Sequence, residues 1–298
     1  MTLSTATLRA LSTAGLDPES VEAVARAALL EDLAGGVDVT SMATVPAELV
    51  GTASFVPRVA GVVAGLGVAM ACLEVVGEVR WDVVREDGPA AAGETVLEVT
   101  GPVRTLLTGE RSALNLLCHL SGVATATALW VAAVEGTGAR IRDTRKTTPG
   151  LRALEKAAVV VGGGVNHRMS LSDAALVKDN HVVAAGGVAQ AFEAVRRQFP
   201  GLEVEVECDT VEQVGEVIEA GADLVLLDNM SLAQLRAAVE LCKAKGVRTE
   251  ASGGLTLDRA RAVAETGVDF LSVGALTHSA PVLDLGLDLL LTRQGTYS

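Results

Sequence analysis

Aromatic side chains are scarce in this sequence, where Phe, Tyr and Trp together make up 2% of the residues. Positive charge is also in short supply, since 24 Lys and Arg residues face 37 Asp and Glu residues and leave a formal net charge of -13. Such a chain repels nucleic acids and anionic membrane surfaces at long range and offers few rings on which bases could stack. We therefore expect neither nucleic acid nor a membrane as a partner.

Cysteine pairs and long apolar runs are lacking as well. The four cysteines are scattered, without a Cys-x-x-Cys pair or histidines at zinc-ligand spacing, which indicates neither a disulfide framework nor a structural metal site. The longest apolar stretch, residues 59–73, is interrupted by glycines and too short to span a bilayer, and no basic-then-apolar leader begins the sequence. These absences favour a cytoplasmic globular protein.

The N-terminal part mixes helical and strand-like patterns. A helix is predicted for residues 18–33, with Asp17 as its N-cap and Pro18 in its first turn. Short β-like runs follow at residues 52–56, 79–84 and 95–99, separated by Gly, Pro and Asp turns. A long helical tract over residues 106–135, interrupted near Ser121 and Gly122, then leads into a second domain.

In the second half, short apolar strands alternate with helices, which is typical of parallel β/α units. Strands are predicted at residues 140–143, 174–178, 203–207, 224–228, 248–252 and 270–274. Capping boxes at Thr210 and Ser231 support the intervening helices, and residues 219–227 and 265–273 repeat one helix-to-strand joint. Six strands are too few for a closed barrel of this kind, so the barrel is expected to be incomplete.

The predicted fold class is thus α/β: an N-terminal α/β sandwich domain plus an atypical, partly open (β/α) barrel. The first domain takes residues 1–118, joined by the C-terminal tail 280–298, and the barrel takes residues 119–279. In such barrels the active site lies at the C-terminal ends of the strands, so the polar residues that finish each strand are the candidates.

The first candidate group is cationic, and its natural ligand carries several negative charges. Arginine forks suit carboxylates and phosphates, while lysines add movable point charge. Its members are Arg145, Lys146, His167, Arg168 and Lys178, with Arg111 as an addition from the first domain.

The second group is acidic, with Glu207 and Asp228 at two successive strand ends. Such a pair can hold Mg²⁺, directly or through water, or accept hydrogen bonds from sugar hydroxyls. Glu203 and Glu205 precede Glu207 in alternation, so three carboxylates share one strand face and require nearby cations.

A third, neutral group precedes predicted helices and offers backbone N–H groups to a phosphate. It consists of Ser252, Gly253, Gly254, Gly274 and Ala275. Taken singly, a Lys or Arg is usually a solvated surface charge, a Gly pair is usually a turn, and His119, His181 and His278 suit structural roles. The joint placement of all three groups at strand ends is what favours a functional site.

At these positions the sequence resembles the quinolinate phosphoribosyltransferase family, also named nicotinate-nucleotide pyrophosphorylase (carboxylating). The segments that carry the resemblance are GERSALNLL around Arg111, DTRKTTPGLR from Asp143, GGGVNHRMSLSD from Gly162, VKDNH from Val177, and the later ASGGL and VGALTHS. They span nearly the whole chain in one order. Ala251 departs from the family pattern, in which a second Ser often stands before Ser-Gly-Gly.

The resemblance implies transfer of a phosphoribosyl group from phosphoribosyl pyrophosphate to quinolinate, with decarboxylation. It implies Mg²⁺ as cofactor and a homodimer with shared active sites, in which Arg111 reaches the partner, with larger assemblies left open. Arg111, Arg145, His167, Arg168 and Lys178 would hold quinolinate, and Lys146, Glu207 and Asp228 would be catalytic, the last two beside the metal. Ser252, Gly253, Gly254, Gly274 and Ala275 would bind the 5′-phosphate.

Three rival functions remain open at this point. A related phosphoribosyltransferase could act on another base, although the presence of both Arg145 and Arg168 favours a dicarboxylate. A Schiff-base aldolase could use Lys146 or Lys178 as its nucleophile. A sensor of anionic metabolites could use the cations without catalysis, but such a protein gains nothing from Glu207 and Asp228.

Overall fold

A computed structural model describes residues 3–291 of the chain. The described residues divide into two compact units. Residues 3–126, 148–162 and 279–291 form the first unit, and residues 127–147 and 163–278 form the second.

Twelve helices and twelve strands are described. The N-terminal part contains α1 (Thr5–Thr13), α2 (Pro18–Leu33), α3 (Val39–Thr44), β1 (Val50–Pro57), β2 (Gly61–Val63), α4 (Leu66–Glu74), β3 (Arg80–Val84), β4 (Gly88–Ala90), β5 (Leu97–Pro102) and α5 (Val103–Ala133). The remainder contains β6 (Arg140–Arg142), α6 (Arg152–Val161), β7 (Ala175–Val177), α7 (Asp179–Ala185), α8 (Val188–Gln198), β8 (Val204–Cys208), α9 (Val211–Glu219), β9 (Leu224–Asp228), α10 (Leu232–Lys243), β10 (Arg248–Ser252), α11 (Leu257–Ala264), β11 (Phe270–Ser272), α12 (Ala275–His278) and β12 (Leu285–Leu291).

The first unit is built on an antiparallel sheet of four strands in the order β12-β1-β5-β3. Its innermost helix, α4, is buried over its whole length and packs against α1 and α2. Strand β12 comes from the C-terminal part of the chain and pairs with β1 from Gly51↔Leu291 to Pro57↔Leu285. Residues 292–298 of the predicted tail lie outside the described residues.

Helix α2 confirms the prediction for residues 18–33, because the Asp17 side chain accepts a hydrogen bond from the Ser20 N–H at 3.0 Å and the helix ends at Leu33. The predicted interruption near Ser121 and Gly122 is wrong, since α5 runs through both. These residues serve packing instead: Ser121 Oγ accepts a hydrogen bond from the Ala64 N–H at 3.1 Å, and a Cβ on Gly122 would collide with the Pro281 carbonyl.

Helix α5 is, among the helices described, the one that is long and apolar enough to cross a membrane by length and composition. Half of its most apolar stretch is buried inside the structure, and Leu106, Leu117 and Leu120 of this helix are all buried. This burial is that of a core helix in a folded domain. The boundary predicted between residues 118 and 119 falls inside α5, and it stays a prediction.

The second unit is built on a parallel sheet in the order β6-β11-β10-β9-β8-β7, and its six strands are the six that the sequence predicted. From β7 to β11, strands consecutive in the chain are neighbours in the sheet, as in a barrel. The ladder ends at β6 and β7, and β6 meets only an isolated bridge, Arg142↔Val165, on its outer side. Over the described residues the barrel is therefore partly open, as predicted.

The helix-to-strand joints also match the sequence pattern. The capping boxes at Thr210 and Ser231 are present, with each side chain accepting from the backbone N–H three residues on. In the repeated joint, Gly221 and Gly267 adopt φ angles of 90° and 91°, which favour glycine. Because the strands are parallel, their carboxyl ends share one edge of the sheet, and the predicted polar residues gather there.

Candidate active site

A cavity of about 300 Å³ lies at the carboxyl ends of the strands in the second unit. It brings together seven of the predicted site residues and four others. The lining residues are Arg145, Lys146, His167, Arg168, Lys178, Glu207 and Ser252, together with Thr144, Leu176, Leu226 and Ser272. The cationic group of the sequence analysis is thus assembled around one space, with one acid at its side.

The two arginines in this cavity give it a strong preference for anions. Arg145 Nε is buried and has no hydrogen-bond partner among the residues described. Burial lowers the pKa of Arg168, and the nearby positive charge of Arg145 lowers it further. Arg168 uses Nη1 to donate a hydrogen bond to the Ala174 carbonyl at 3.0 Å, which holds the far end of its side chain. A carboxylate or phosphate between the two guanidinium groups would relieve their repulsion and satisfy the free donor.

The lysines approach the cavity from different strands. Lys178 Nζ lies 3.2 Å from Glu207 Oε2, with side-chain exposures of 48% and 13%, so the acid is held inside while the lysine faces outward. Lys146 is fixed through its backbone, since its N–H donates to Thr144 Oγ1 at 3.0 Å and its carbonyl accepts from Thr277 Oγ1 at 2.8 Å. Its side chain passes Gly274, where a Cβ would stand 3.0 Å from the Lys146 Cδ.

The ends of β9 and β10 form a tightly built corner next to the cavity. Asn229 has a φ of 52°, its N–H donates to the Ser252 carbonyl at 3.0 Å, and its Nδ2 donates to Asp228 Oδ2 at 2.6 Å. Gly253 has a φ of 90°, and a Cβ there would collide with the Asn229 side chain and stand 2.8 Å from its backbone nitrogen. Only glycine fits here, because the backbone and the space both exclude a side chain.

The other predicted phosphate and metal residues lie around this corner. Gly253 and Gly254 line a second cavity of about 340 Å³, which Ser252 also borders. Asp228 ends β9 opposite Ser252 in the register. Gly274 and Ala275 line neither cavity, and the helix that Ala275 begins is a single short turn. Because neither residue has a polar side chain, only their backbone N–H groups could bind a phosphate.

Arg111 belongs to the first unit. It lies on α5 with an exposed side chain, and its expected role across a dimer interface stays a prediction.

Beneath the cavity lies a buried polar cluster, which we call the interior network: Arg142, His167, Glu205 and Glu250. Nε2 of His167 is 2.9 Å from Oε2 of Glu205 and 3.7 Å from Oε1 of Glu250. Arg142 Nη1 contacts Oε2 of Glu250 at 2.5 Å. Burial raises the pKa of Glu205 to about 7, with Arg142 opposing the rise, and burial followed by the Glu205 charge raises the pKa of Glu250.

Three alternating acids, Glu203 just before β8 and Glu205 and Glu207 within it, each face a nitrogen-bearing side chain, as their alternation required. Glu203 contacts Arg248 at 2.9 Å, Glu205 contacts His167, and Glu207 contacts Lys178. Arg142 and Glu250 were not among the site residues predicted from the sequence. The signal that could have found Glu250 is its spacing, two residues before Ser252, which puts both side chains on one face of β10.

Comparisons with known proteins agree with this geometry. Residues 38–121 match the family model for the quinolinate phosphoribosyl transferase N-terminal domain, and residues 123–288 match the model for the C-terminal domain. A nicotinate-nucleotide pyrophosphorylase [carboxylating] of Mycobacterium leprae is 53% identical over 270 residues, covering 89% of this chain and 95% of the relative. A probable enzyme of the same name from Bacillus subtilis is 40% identical over 268 residues, covering 89% and 92%.

Solved structures give the same result. The crystal structure of NadC from Streptococcus pyogenes is similar with a TM-score of 0.87 at 40% identity, covering 92% of this chain and 99% of that one. The nicotinate-nucleotide pyrophosphorylase from Francisella tularensis is similar with a TM-score of 0.87 at 35% identity, covering 91% and 96%. Two domain models and relatives along nearly the whole length leave one assignment: the chain belongs to the quinolinate phosphoribosyl transferase family.

Proposed function

We propose that this enzyme transfers the phosphoribosyl group of phosphoribosyl pyrophosphate to quinolinate with loss of carbon dioxide, giving nicotinate mononucleotide and pyrophosphate for NAD biosynthesis. One observation carries the proposal: Arg145 and Arg168 converge on one cavity, the first with an unused buried donor and the second with a lowered pKa. Quinolinate carries two adjacent carboxylates, and two guanidinium groups can neutralise both. His167 and Lys178, on the same cavity, and Arg111 complete the proposed quinolinate site.

The chemistry follows from charge placement. As pyrophosphate departs, the anomeric carbon gains positive charge, which Glu207 and Asp228 stabilise electrostatically. The quinolinate nitrogen forms the new bond to that carbon, and the ring becomes cationic. The C–C bond to the adjacent carboxylate then breaks, carbon dioxide leaves, and its electron pair stays on the ring carbon beside the positive nitrogen until that carbon takes a proton. Lys146, fixed at its backbone on both sides, positions the reactants.

Mg²⁺ is proposed as the cofactor. Glu207 is a largely buried acid on the cavity, and Asp228 ends the neighbouring strand, so two carboxylates stand at one edge of the sheet. Two carboxylates with a pyrophosphate suit an ion that keeps several of its waters. Bound there, Mg²⁺ would neutralise charge on the leaving pyrophosphate. The 5′-phosphate is assigned to Ser252, Gly253, Gly254, Gly274 and Ala275.

A cytoplasmic homodimer is proposed as the working form. The first unit exposes large apolar side chains along α2, α3 and the segment between them, namely Leu30, Val37, Val39 and Met42. Such a patch is typical of a protein interface. Mixing two inactive variants, Arg111→Ala and Lys146→Ala, should restore activity if each site combines residues of two chains. Light scattering of the separate variants checks that both still form dimers.

The decisive experiment incubates the purified protein with quinolinate, phosphoribosyl pyrophosphate and Mg²⁺ and follows nicotinate mononucleotide by mass together with carbon dioxide release. Nicotinate is the control substrate. Product from quinolinate alone supports the proposal, while product from nicotinate alone reassigns the base. Binding without any product would favour the sensor, and a borohydride-trapped adduct with a carbonyl compound would favour the aldolase.

A further inference from the structure

His167 differs from the arginines and lysines of the cavity because its ring nitrogens face inward. Nδ1 accepts a hydrogen bond from the Arg168 N–H at 2.6 Å, and Nε2 faces the carboxylates of Glu205 and Glu250. The backbone N–H of His167 donates to Asp143 Oδ1 at 2.8 Å. The ring is therefore held from both sides, and its partners are groups of the protein.

These contacts fix the protonation of the ring. Since Nδ1 accepts a backbone N–H, it carries no proton, and a neutral ring has its single proton on Nε2. The Nε2 atom that carries it lies beside two buried carboxylates, 2.9 Å from Glu205 Oε2 and 3.7 Å from Glu250 Oε1. A doubly protonated ring would set an N–H on Nδ1 against the N–H of Arg168.

The positions of the two carboxylates in the sheet are set by the strands that carry them. Glu205 lies two residues before Glu207 on β8, and Glu250 lies two residues before Ser252 on β10, so both point to the cavity side one layer deeper in the sheet. Their side chains are 3% and 0% exposed. Arg142 anchors Glu250 and lies 4.9 Å from the centre of the Phe270 ring.

The segment held by this network forms part of the wall of the cavity. His167 and Arg168 are the two residues that line both the 300 Å³ cavity and a third, polar cavity of about 210 Å³ beneath it. A rotation of the His167 ring would release the Arg168 N–H and move the guanidinium that follows.

We infer that Glu205 and Glu250 are positioning residues for quinolinate binding, which hold the neutral His167 ring and through it the direction of Arg168. The inference rests on the proposed substrate. The same three side chains could also surround a metal ion, since their ligand atoms lie within 4.8 Å of one another. Arg142 already neutralises Glu250, and at 2.9 Å Nε2 and Oε2 are in direct contact with no room for an ion between them, so the positioning role is the one that we argue.

The test compares Glu205→Leu, which removes the acceptor, with Glu205→Gln, which keeps one. Glu205→Leu should raise the KM for quinolinate about tenfold or more, because a small misplacement of a binding group has a large effect. The KM for phosphoribosyl pyrophosphate should stay within about twofold, and Glu205→Gln should recover most of the quinolinate affinity. Glu74→Gln is the matched control, since it alters a buried carboxylate of the first unit that binds Ser4, Thr7 and Trp81.

Three results would overturn the inference while leaving the proposed function intact, the third being zinc found in the protein by metal analysis. One is an active wild-type enzyme whose Glu205→Leu variant shows equal changes in both KM values or none. The second comes from ¹⁵N NMR of histidine-labelled wild-type enzyme, with His167→Asn used for assignment: a ring protonated on Nδ1 or on both nitrogens contradicts the network. This second readout needs no activity and decides the matter even if Glu205→Leu does not fold.

Discussion

Gly253 allows the phosphate corner to be tested with a single methyl group. Its φ of 90° is shared by Gly221, the glycine that ends α9, but the two differ in their surroundings. A Cβ on Gly221 meets nothing within 4 Å, whereas a Cβ on Gly253 runs into Asn229. The pair Gly253→Ala and Gly221→Ala therefore separates backbone strain from the collision.

The magnitudes follow from these surroundings. An alanine at positive φ costs about 1–2 kcal/mol, and this alone applies to Gly221→Ala. In Gly253→Ala the backbone nitrogen of Asn229 must also move, which weakens its 3.0 Å hydrogen bond to the Ser252 carbonyl by about 1 kcal/mol. We expect a loss of about 2–3 kcal/mol in the free energy of unfolding for Gly253→Ala.

The assay combines urea unfolding with steady-state kinetics. If the corner binds the 5′-phosphate, Gly253→Ala should raise the KM for phosphoribosyl pyrophosphate about tenfold, equivalent to about 1.4 kcal/mol. The KM for quinolinate should change little, and Gly221→Ala should leave both values alone. Equal stability losses in the two variants together with an unchanged KM would refute the reasoning.

Further predictions follow from the other parts of the site. Glu207→Gln should lower kcat about a hundredfold or more with an unchanged circular dichroism spectrum, since the charge that faces the reacting carbon is lost; a kcat near wild type would contradict the role. Chelation with EDTA should abolish turnover and added Mg²⁺ should restore it. Burial raises the pKa of Asp173, but hydrogen bonds from backbone N–H groups of its loop outweigh this and lower it to about 2. The stabilisation by this carboxylate is thus present above its ordinary pKa and is lost as the pH falls towards 2, so acid should lower the Tm of wild type more than that of Asp173→Asn. Burial raises the pKa of the thiols of Cys72, Cys208 and Cys242 to about 11 or 12. Iodoacetamide at pH 8 should therefore label these thiols only after the protein unfolds, and mass spectrometry of the peptides would detect the labelling.

The regular elements of the second unit could be predicted because each rests on local signals. Strand β9 begins and ends where the apolar run does, and the capping box at Ser231 marks the start of α10. Helix α5 shows the limit of such reasoning. The Ser-Gly pair within it has the composition of a break, yet it serves the close approach of residue 281, and that approach depends on a segment about 160 residues further along the chain.

The residues that line the cavity could be predicted from the sequence, but the buried network beneath them could not. Residues that end strands could be found by position, so the cationic group around Arg145 emerged from the sequence. The strand spacing places Glu250 on the same face as Ser252, but its pairing with Arg142 could not be predicted, because Arg142 is 108 positions away and only the parallel sheet brings the two together. The left-handed backbone of Asn229 has no clear sequence signal either, since Asp-Asn after a strand is common in turns.

Strand β12 has a consequence for how the protein is made. Its partner β1 lies more than 200 residues earlier, so β1 emerges from the ribosome long before the strand that covers its outer edge. Until then, β1 exposes a row of unpaired backbone groups that can recruit another strand. The N-terminal sheet can complete its folding only after the catalytic sheet has been synthesised, and a chain released before Leu285 would be prone to aggregate through that edge.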